Sequence, residues 1–216
     1  MSAEASIRIV LADDHTMVRE ALARILDEEP GIDVVAQACD GPESTRAVES
    51  AHPDVLVLDY SMPDHDPTSG IAELLARHPE LRILVLTVHE NVHYALRALE
   101  SGAQGYLIKS AATEELVDAI RRVHAGELYL SARVSQEVLQ RLLRPRQKRT
   151  GLDTLSPREF TFLRTLAAGR TLQQCAREMH VSVSTVSTYR SRVMEKLELG
   201  STAQLIRFAL DHDLAR

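Results

Sequence analysis

Cysteine is scarce in this 216-residue chain: Cys39 and Cys175 stand far apart, in no metal-type spacing. That excludes a disulfide framework and a thiolate metal centre, and both thiols are expected to be reduced and mostly buried. No apolar run approaches the roughly 20 residues needed to cross a bilayer, and the N-terminus lacks the basic and apolar regions of a secretory signal. A cytoplasmic protein without membrane contact is expected. Positive charge is scarce in one part only. Residues 1–145 carry 13 Lys/Arg against 24 Asp/Glu, whereas residues 146–216 carry 12 against 7, within a formal net charge of −6. The asymmetry argues for two domains: an acidic one suited to regulation or metal binding, and a basic one suited to an anion such as nucleic acid.

Apolar strand-like runs at 7–12, 32–38, 55–59, 83–87 and 105–108 alternate with helical periodicity at about 15–28, 42–51, 70–77, 91–101 and 112–124. Five β/α units predict an α/β domain with a five-stranded doubly wound parallel sheet over residues 1–125. Runs such as Val55 to Leu58 are apolar without alternation, as strands covered on both faces should be. Residues 126–150 read as a linker with a short helix around Ser131–Leu143, ending in the basic, Pro- and Gly-broken stretch 144–151.

No strand signal follows. Residues 151–216 predict a second, all-α domain of four helices near 156–168, 172–180, 182–198 and 202–213. Ser156-Pro157-Arg158-Glu159 is a capping box with Pro at the first helical position. Thr171, Ser182 and Ser201 are further starts, Gly169 and Gly200 stops, and residues including Leu155, Phe160, Leu163, Val186, Val193, Leu205 and Leu210 supply the core. The two consecutive helices from Thr171 to Leu197, with their short connection at Val181, form a helix-turn-helix pattern.

Four of the predicted strands end in polar residues: Asp13 and Asp14, Asp59, Thr87, and Lys109. In an open parallel sheet the carboxyl ends of the strands line the ligand crevice, so these groups should meet. Three clustered carboxylates repel one another, and a divalent cation relieves the conflict. Oxygen ligands suit Mg²⁺ better than zinc. Asp59 can then serve as a nucleophile toward phosphorus, with the metal and Lys109 neutralising charge on the transferring group. Thr87 can hydrogen-bond the new phosphoryl oxygens, and Tyr106 can change rotamer when it does.

Residues 7–124 resemble the receiver domain of two-component response regulators through Asp13-Asp14, Asp59-Tyr-Ser-Met-Pro63, Leu86-Thr87 and Gly105-Tyr106-Leu-Ile-Lys109-Ser. The resemblance implies that Asp59 is the phosphoacceptor, Asp14 a direct Mg²⁺ ligand, Asp13 an outer-shell one and the backbone carbonyl of Ser61 a further ligand. It makes Thr87 and Tyr106 the switch pair and Lys109 the phosphate partner, and it gives Ser61 and His89 influence over phosphoryl lifetime. The loop after Pro63 departs from the family by about three extra residues and adds Asp64, His65 and Asp66, a tolerated surface insertion or a shield over the site.

On a helical wheel of residues 182–197, Val186, Tyr189, Val193 and Leu197 face the core. Ser184, Ser187, Thr188, Ser191 and Glu195 face outward, with Arg190 and Arg192 at the flanks. Such a hydroxyl-rich face fits a major groove, while Arg190, Arg192 and Lys196 would serve phosphates. Leu155-Ser-Pro-Arg-Glu159, Cys175-Ala176-Arg-Glu, Val181-Ser-Val-Ser-Thr185-Val186 and Arg192-Val-Met-Glu-Lys196-Leu197 resemble the LuxR-type DNA-binding domain. Receiver plus this domain is the NarL/FixJ class, whose last helix, here near Ala203–Leu210, commonly pairs two copies on a two-fold operator. Ser184, Ser187 and Ser191 replace lysines frequent in that class, and Tyr189 a frequent His. Fewer released counterions then imply weak monomer binding and a need for dimerisation.

The resemblance implies a transcription regulator phosphorylated on Asp59 by a sensor histidine kinase with Mg²⁺, which binds promoter DNA as a homodimer. It is not an enzyme beyond assisting its own phosphorylation and dephosphorylation. One alternative is a phosphorylation-independent DNA-binding regulator whose receiver acts as a dimerisation module. Another is a phosphohydrolase, although such enzymes carry a second Asp where Ser61 stands.

Overall fold

The computed structural model describes residues 6–62, 67–89, 91–110, 113–143, 151–212 and 214. The inserted Asp64, His65 and Asp66 and the basic stretch 144–150 lie outside them. The chain divides into two compact units, Met1–Val138 and Leu139–Arg216.

The first unit alternates strands and helices: β1 (Ile7–Ala12), α1 (Thr16–Asp27), β2 (Ile32–Ala38), α2 (Gly41–Ala51), β3 (Val55–Asp59), α3 (Pro67–Arg77), β4 (Arg82–Thr87), α4 (Val92–Glu100), β5 (Gly105–Ile108) and α5 (Thr113–His124). A two-residue strand, β6 (Tyr129–Leu130), and α6 (Ala132–Leu143) follow. All strand pairs are parallel, in the order β2-β1-β3-β4-β5-β6. Connections run outward in opposite directions from β1 and β3, so a crevice opens between their carboxyl ends.

Every residue of β3 is buried. One set of alternating side chains, Ile9, Leu11, Val55, Val57, Leu84, Leu86 and Leu107, packs with Leu26 of α1 and Ile120 and Val123 of α5. The other set, including Leu56, Leu58, Ile83 and Val85, is equally buried, and this two-sided cover explains the unbroken apolar runs. At Gly105 an added Cβ would lie 2.5 Å from Leu84 Cδ1 and 2.8 Å from Val123 Cγ2, so close contact of β5 with its neighbours requires glycine there.

The sheet has six strands where five were expected. The Tyr129 amide donates to the Gln104 carbonyl at 2.9 Å and the Ser131 amide to the Tyr106 carbonyl at 3.1 Å. Tyr129 also donates its hydroxyl to Glu115 Oε1 at 3.2 Å and lies under the Arg122 guanidinium, 5.2 Å from ring centroid to Cζ. Burial and Glu115 push its phenol up to about 12. These contacts turn the start of the expected linker into part of the sheet. Cys39, expected to be mostly buried, is exposed just past the end of β2, whereas Cys175 is buried.

Beyond residue 150 the second unit has a short 3₁₀ turn at Gly151–Thr154, then α7 (Pro157–Ala167), α8 (Leu172–Glu178), α9 (Val183–Lys196) and α10 (Thr202–Asp211). Ser156, Thr171, Ser182 and Ser201 all cap helices, each side chain accepting from the amide three residues on. Glu159 closes the capping box by accepting from the Ser156 amide at 2.8 Å. The left-handed residue after α9 is Glu198 (φ 56°), two positions before the expected stop at Gly200. The core holds Phe160, Leu163, Cys175, Val186, Val193 and Leu205, together with Phe162. Leu210, expected among them, is 51% exposed on α10.

Candidate functional site

Asp59 is the last residue of β3 and is 2% exposed. Its Oδ2 accepts from the Lys109 ammonium at 2.8 Å and its Oδ1 from the Ser61 amide at 2.9 Å. The same ammonium lies 2.6 Å from Asp13 Oδ2, so one lysine just beyond β5 spans carboxylates brought by β1 and β3. Asp13 Oδ1 in turn accepts from the His15 amide at 2.8 Å. The His15 ring, exposed, places Nδ1 2.9 Å from Asp14 Oδ1.

Burial pushes the Asp59 carboxyl above its ordinary value, an effect that Lys109 and the Ser61 amide reduce without cancelling. For Lys109, burial opposes the charge, but the hydrogen bonds to Asp13 and Asp59 outweigh it and hold the ammonium above its ordinary range. Among the described residues Lys109 thus pairs with two of the pocket's three carboxylates. Asp13, Asp14, His15 and Asp59 each offer a ligand atom, all within 4.8 Å of one another. Asp13 Oδ2 and Asp14 Oδ1 are shut off from solvent, beside the Lys109 ammonium and the His15 ring respectively, and such a cluster of carboxylate oxygens fits a hard divalent cation.

Thr87 ends β4 and is fully buried, its Oγ1 accepting from the His89 amide at 3.2 Å. Tyr106, on β5 and fully buried, donates its hydroxyl to the His89 carbonyl at 2.9 Å. Burial raises its phenol above its ordinary value, with a smaller opposing effect from Thr87. The expected switch pair is therefore joined through the backbone of His89. The His89 ring is stacked on Tyr94, with centroids 4.4 Å apart, and its Nε2 lies 3.1 Å from Ser61 Oγ. Ser61 and His89, distant in sequence, meet beside Asp59. His15, missed as a participant, follows directly on Asp13-Asp14, and that adjacency was the available signal.

In the second unit α8 and α9 form the helix-turn-helix, joined through His180 (φ 53°) and the Ser182 cap. Ser184, Thr188, Ser191 and Arg192 are exposed, and Ser187 and Arg190 half-buried. The Lys196 ammonium, expected at phosphates, donates to Glu159 Oε2 at 2.6 Å and to the Thr154 carbonyl at 3.1 Å.

Residues 9–121 match the response regulator receiver domain, and residues 153–209 match the bacterial regulatory proteins of the luxR family. The chain belongs to the NarL/FixJ class of response regulators. It is 34% identical over 208 residues to the response regulator GacA of Pseudomonas viridiflava, covering 96% of this chain and 97% of that protein. It is 36% identical over 217 residues to the oxygen regulatory protein NreC of Staphylococcus aureus, covering 96% and 99%. A LuxR-family two-component response regulator from Aurantimonas sp. SI85-9A1 is 35% identical, with a TM-score of 0.62 over 65% of this chain and all of that one.

This response regulator joins a receiver to a LuxR-type DNA-binding domain, a pairing that implies transcription regulation, with a histidine kinase and promoter DNA as partners. Among the described residues no helix is long and apolar enough to cross a membrane.

Proposed function

We propose that this response regulator is phosphorylated on Asp59 by a sensor histidine kinase in the presence of Mg²⁺, and that phosphorylation promotes promoter binding by a homodimer. The observation that carries this reading is the position of the Asp59 carboxylate. It is buried at the end of β3 and held from one side by Lys109 and from the other by the Ser61 amide.

An oxygen of Asp59 attacks the phosphorus of a phosphohistidine; the new P–O bond forms as the P–N bond breaks, and the electron pair leaves with the imidazole. Lys109, already 2.8 Å from Asp59, offers its charge to the arriving phosphoryl oxygens. Asp13, Asp14, Asp59 and the Ser61 backbone carbonyl would hold Mg²⁺, which supplies further neutralisation of phosphoryl charge. Thr87, drawn to the phosphoryl group, gives up its bond with the His89 amide and so loosens the loop on which Tyr106 also bears. Ser184, Ser187, Thr188 and Ser191 meet base edges, Arg190 and Arg192 serve phosphates, and the exposed Leu210 of α10 supports pairing of two copies.

Intact-mass measurement after incubation with a small phosphodonor and Mg²⁺ tests the reading. A one-phosphoryl gain is expected, absent in Asp59→Asn and without metal. No gain with several donors would favour the phosphorylation-independent regulator.

A further inference from the structure

The outward face of α9 carries hydroxyls whose protons are already committed. Thr188 donates its Oγ1 hydrogen to the Ser184 carbonyl at 3.1 Å, and Ser191 donates its Oγ hydrogen to the Ser187 carbonyl at 3.1 Å. Each hydroxyl has one proton and two lone pairs. With the proton turned along the helix, what points into solvent is acceptor only. Glu195, one turn beyond Ser191 on the same exposed face, is acceptor-only when ionised. No Arg, Lys, Asn or Gln stands at the centre of this face, so the bidentate contacts that select guanine or adenine are unavailable there. At the helix start Ser182 accepts from the Thr185 amide at 3.1 Å as the cap, and its hydroxyl lies 2.7 Å from Ser184 Oγ and 2.8 Å from Thr185 Oγ1.

We propose that Thr188 and Ser191 read the operator as hydrogen-bond acceptors, each taking a bond from an exocyclic amino group in the major groove, N6 of adenine or N4 of cytosine. This rests on the DNA-binding reading of residues 153–209 and deepens it by assigning the polarity of recognition. A lysine at such a position donates; a back-bonded hydroxyl accepts. The outward face therefore selects for where the amino groups of the base pairs lie, and discriminates through single bonds rather than bidentate pairs.

The test uses the full-length protein with phosphodonor and Mg²⁺, selecting bound duplexes from a randomised pool and comparing wild type with Thr188→Val and Ser191→Ala. Both sites are exposed, and the substitutions remove only the hydroxyl's acceptor and donor. Each variant should lose preference at one base pair of the enriched half-site. At that pair, replacing adenine by purine, or cytosine by 2-pyrimidinone, deletes the amino group. It should weaken wild-type binding about 3- to 10-fold and leave the matching variant unchanged. Replacing the purine of the same pair by its 7-deaza analogue should leave wild type unchanged. The proposal is overturned if the 7-deaza base weakens wild type while the amino-deleted base does not, or if both variants keep the wild-type preferences. A pool from which no sequence is enriched would overturn the DNA-binding reading itself, and the proposal with it.

Discussion

The Lys196 ammonium lies 2.6 Å from the Glu159 carboxylate, tying the last turn of α9 to the first turn of α7. Glu159 is 3% exposed and also accepts from the Ser156 amide, so a single carboxylate closes a capping box and anchors the recognition helix. An Asp or Glu near a helix N-terminus is favoured by the helix dipole as well. The pair fixes the far end of α9.

That arrangement sets a pH dependence. Burial works against the ionised Glu159, but Lys196 and the Ser156 amide outweigh it and hold the carboxyl below its ordinary value of 4.5. A lowered folded-state value means that the carboxylate's contribution is complete above the ordinary value and disappears as pH falls through the lower one. The thermal midpoint of the second unit's unfolding should therefore drop below about pH 4.5 in wild type. Glu159→Gln should cost about 1–3 kcal/mol at neutral pH and lose this component of the acid dependence. Calorimetry across the acid range checks both.

Asp59→Asn should stabilise the metal-free protein while abolishing phosphorylation. Burial holds the Asp59 carboxyl above its ordinary value, so above that raised value its ionised form opposes folding, and the opposition fades as pH falls through it. The neutral amide removes the penalty. Urea denaturation at neutral pH in chelator should show a gain in stability that shrinks on acidification; a loss of stability would contradict the charge account of this pocket.

Removal of the Lys109 ammonium should act oppositely on stability. Lys109→Ala leaves Asp13 and Asp59 without the ammonium at 2.6 and 2.8 Å. Phosphorylation by a small donor, followed by intact mass over time, should slow at least about 10-fold. Added Mg²⁺ should raise the thermal midpoint more in this variant than in wild type, because the cation then relieves a larger repulsion.

Tyr106→Phe deletes the hydroxyl that donates to the His89 carbonyl at 2.9 Å in a fully buried setting. A cost of about 1 kcal/mol in stability is expected. Phosphorylation of Asp59 should persist, since Tyr106 makes no hydrogen bond to that carboxylate, whereas the gain in DNA affinity on phosphorylation should shrink. Mass and binding measured on the same preparation separate the two effects.

Much of this molecule is written locally. Five strands declared themselves as apolar runs, four of them running into Asp, Thr or Lys, and Ser156, Thr171, Ser182 and Ser201 marked the helix starts, because period and capping act over a few residues. Asp13, Asp14, Asp59 and Lys109 could be assigned to one crevice because parallel topology gathers strand ends. Tertiary structure alone decided the rest. β6 is two residues long and exists because β5 offers it backbone partners and Glu115 and Arg122 hold Tyr129. The pairing of Lys196 with Glu159, 37 residues away, is set by the fold. Ser61 and His89 stand 28 residues apart and meet because β3 and β4 are neighbours. Short-range patterns are enforced by each residue's own backbone, whereas such pairings depend on which segments the folded chain brings side by side.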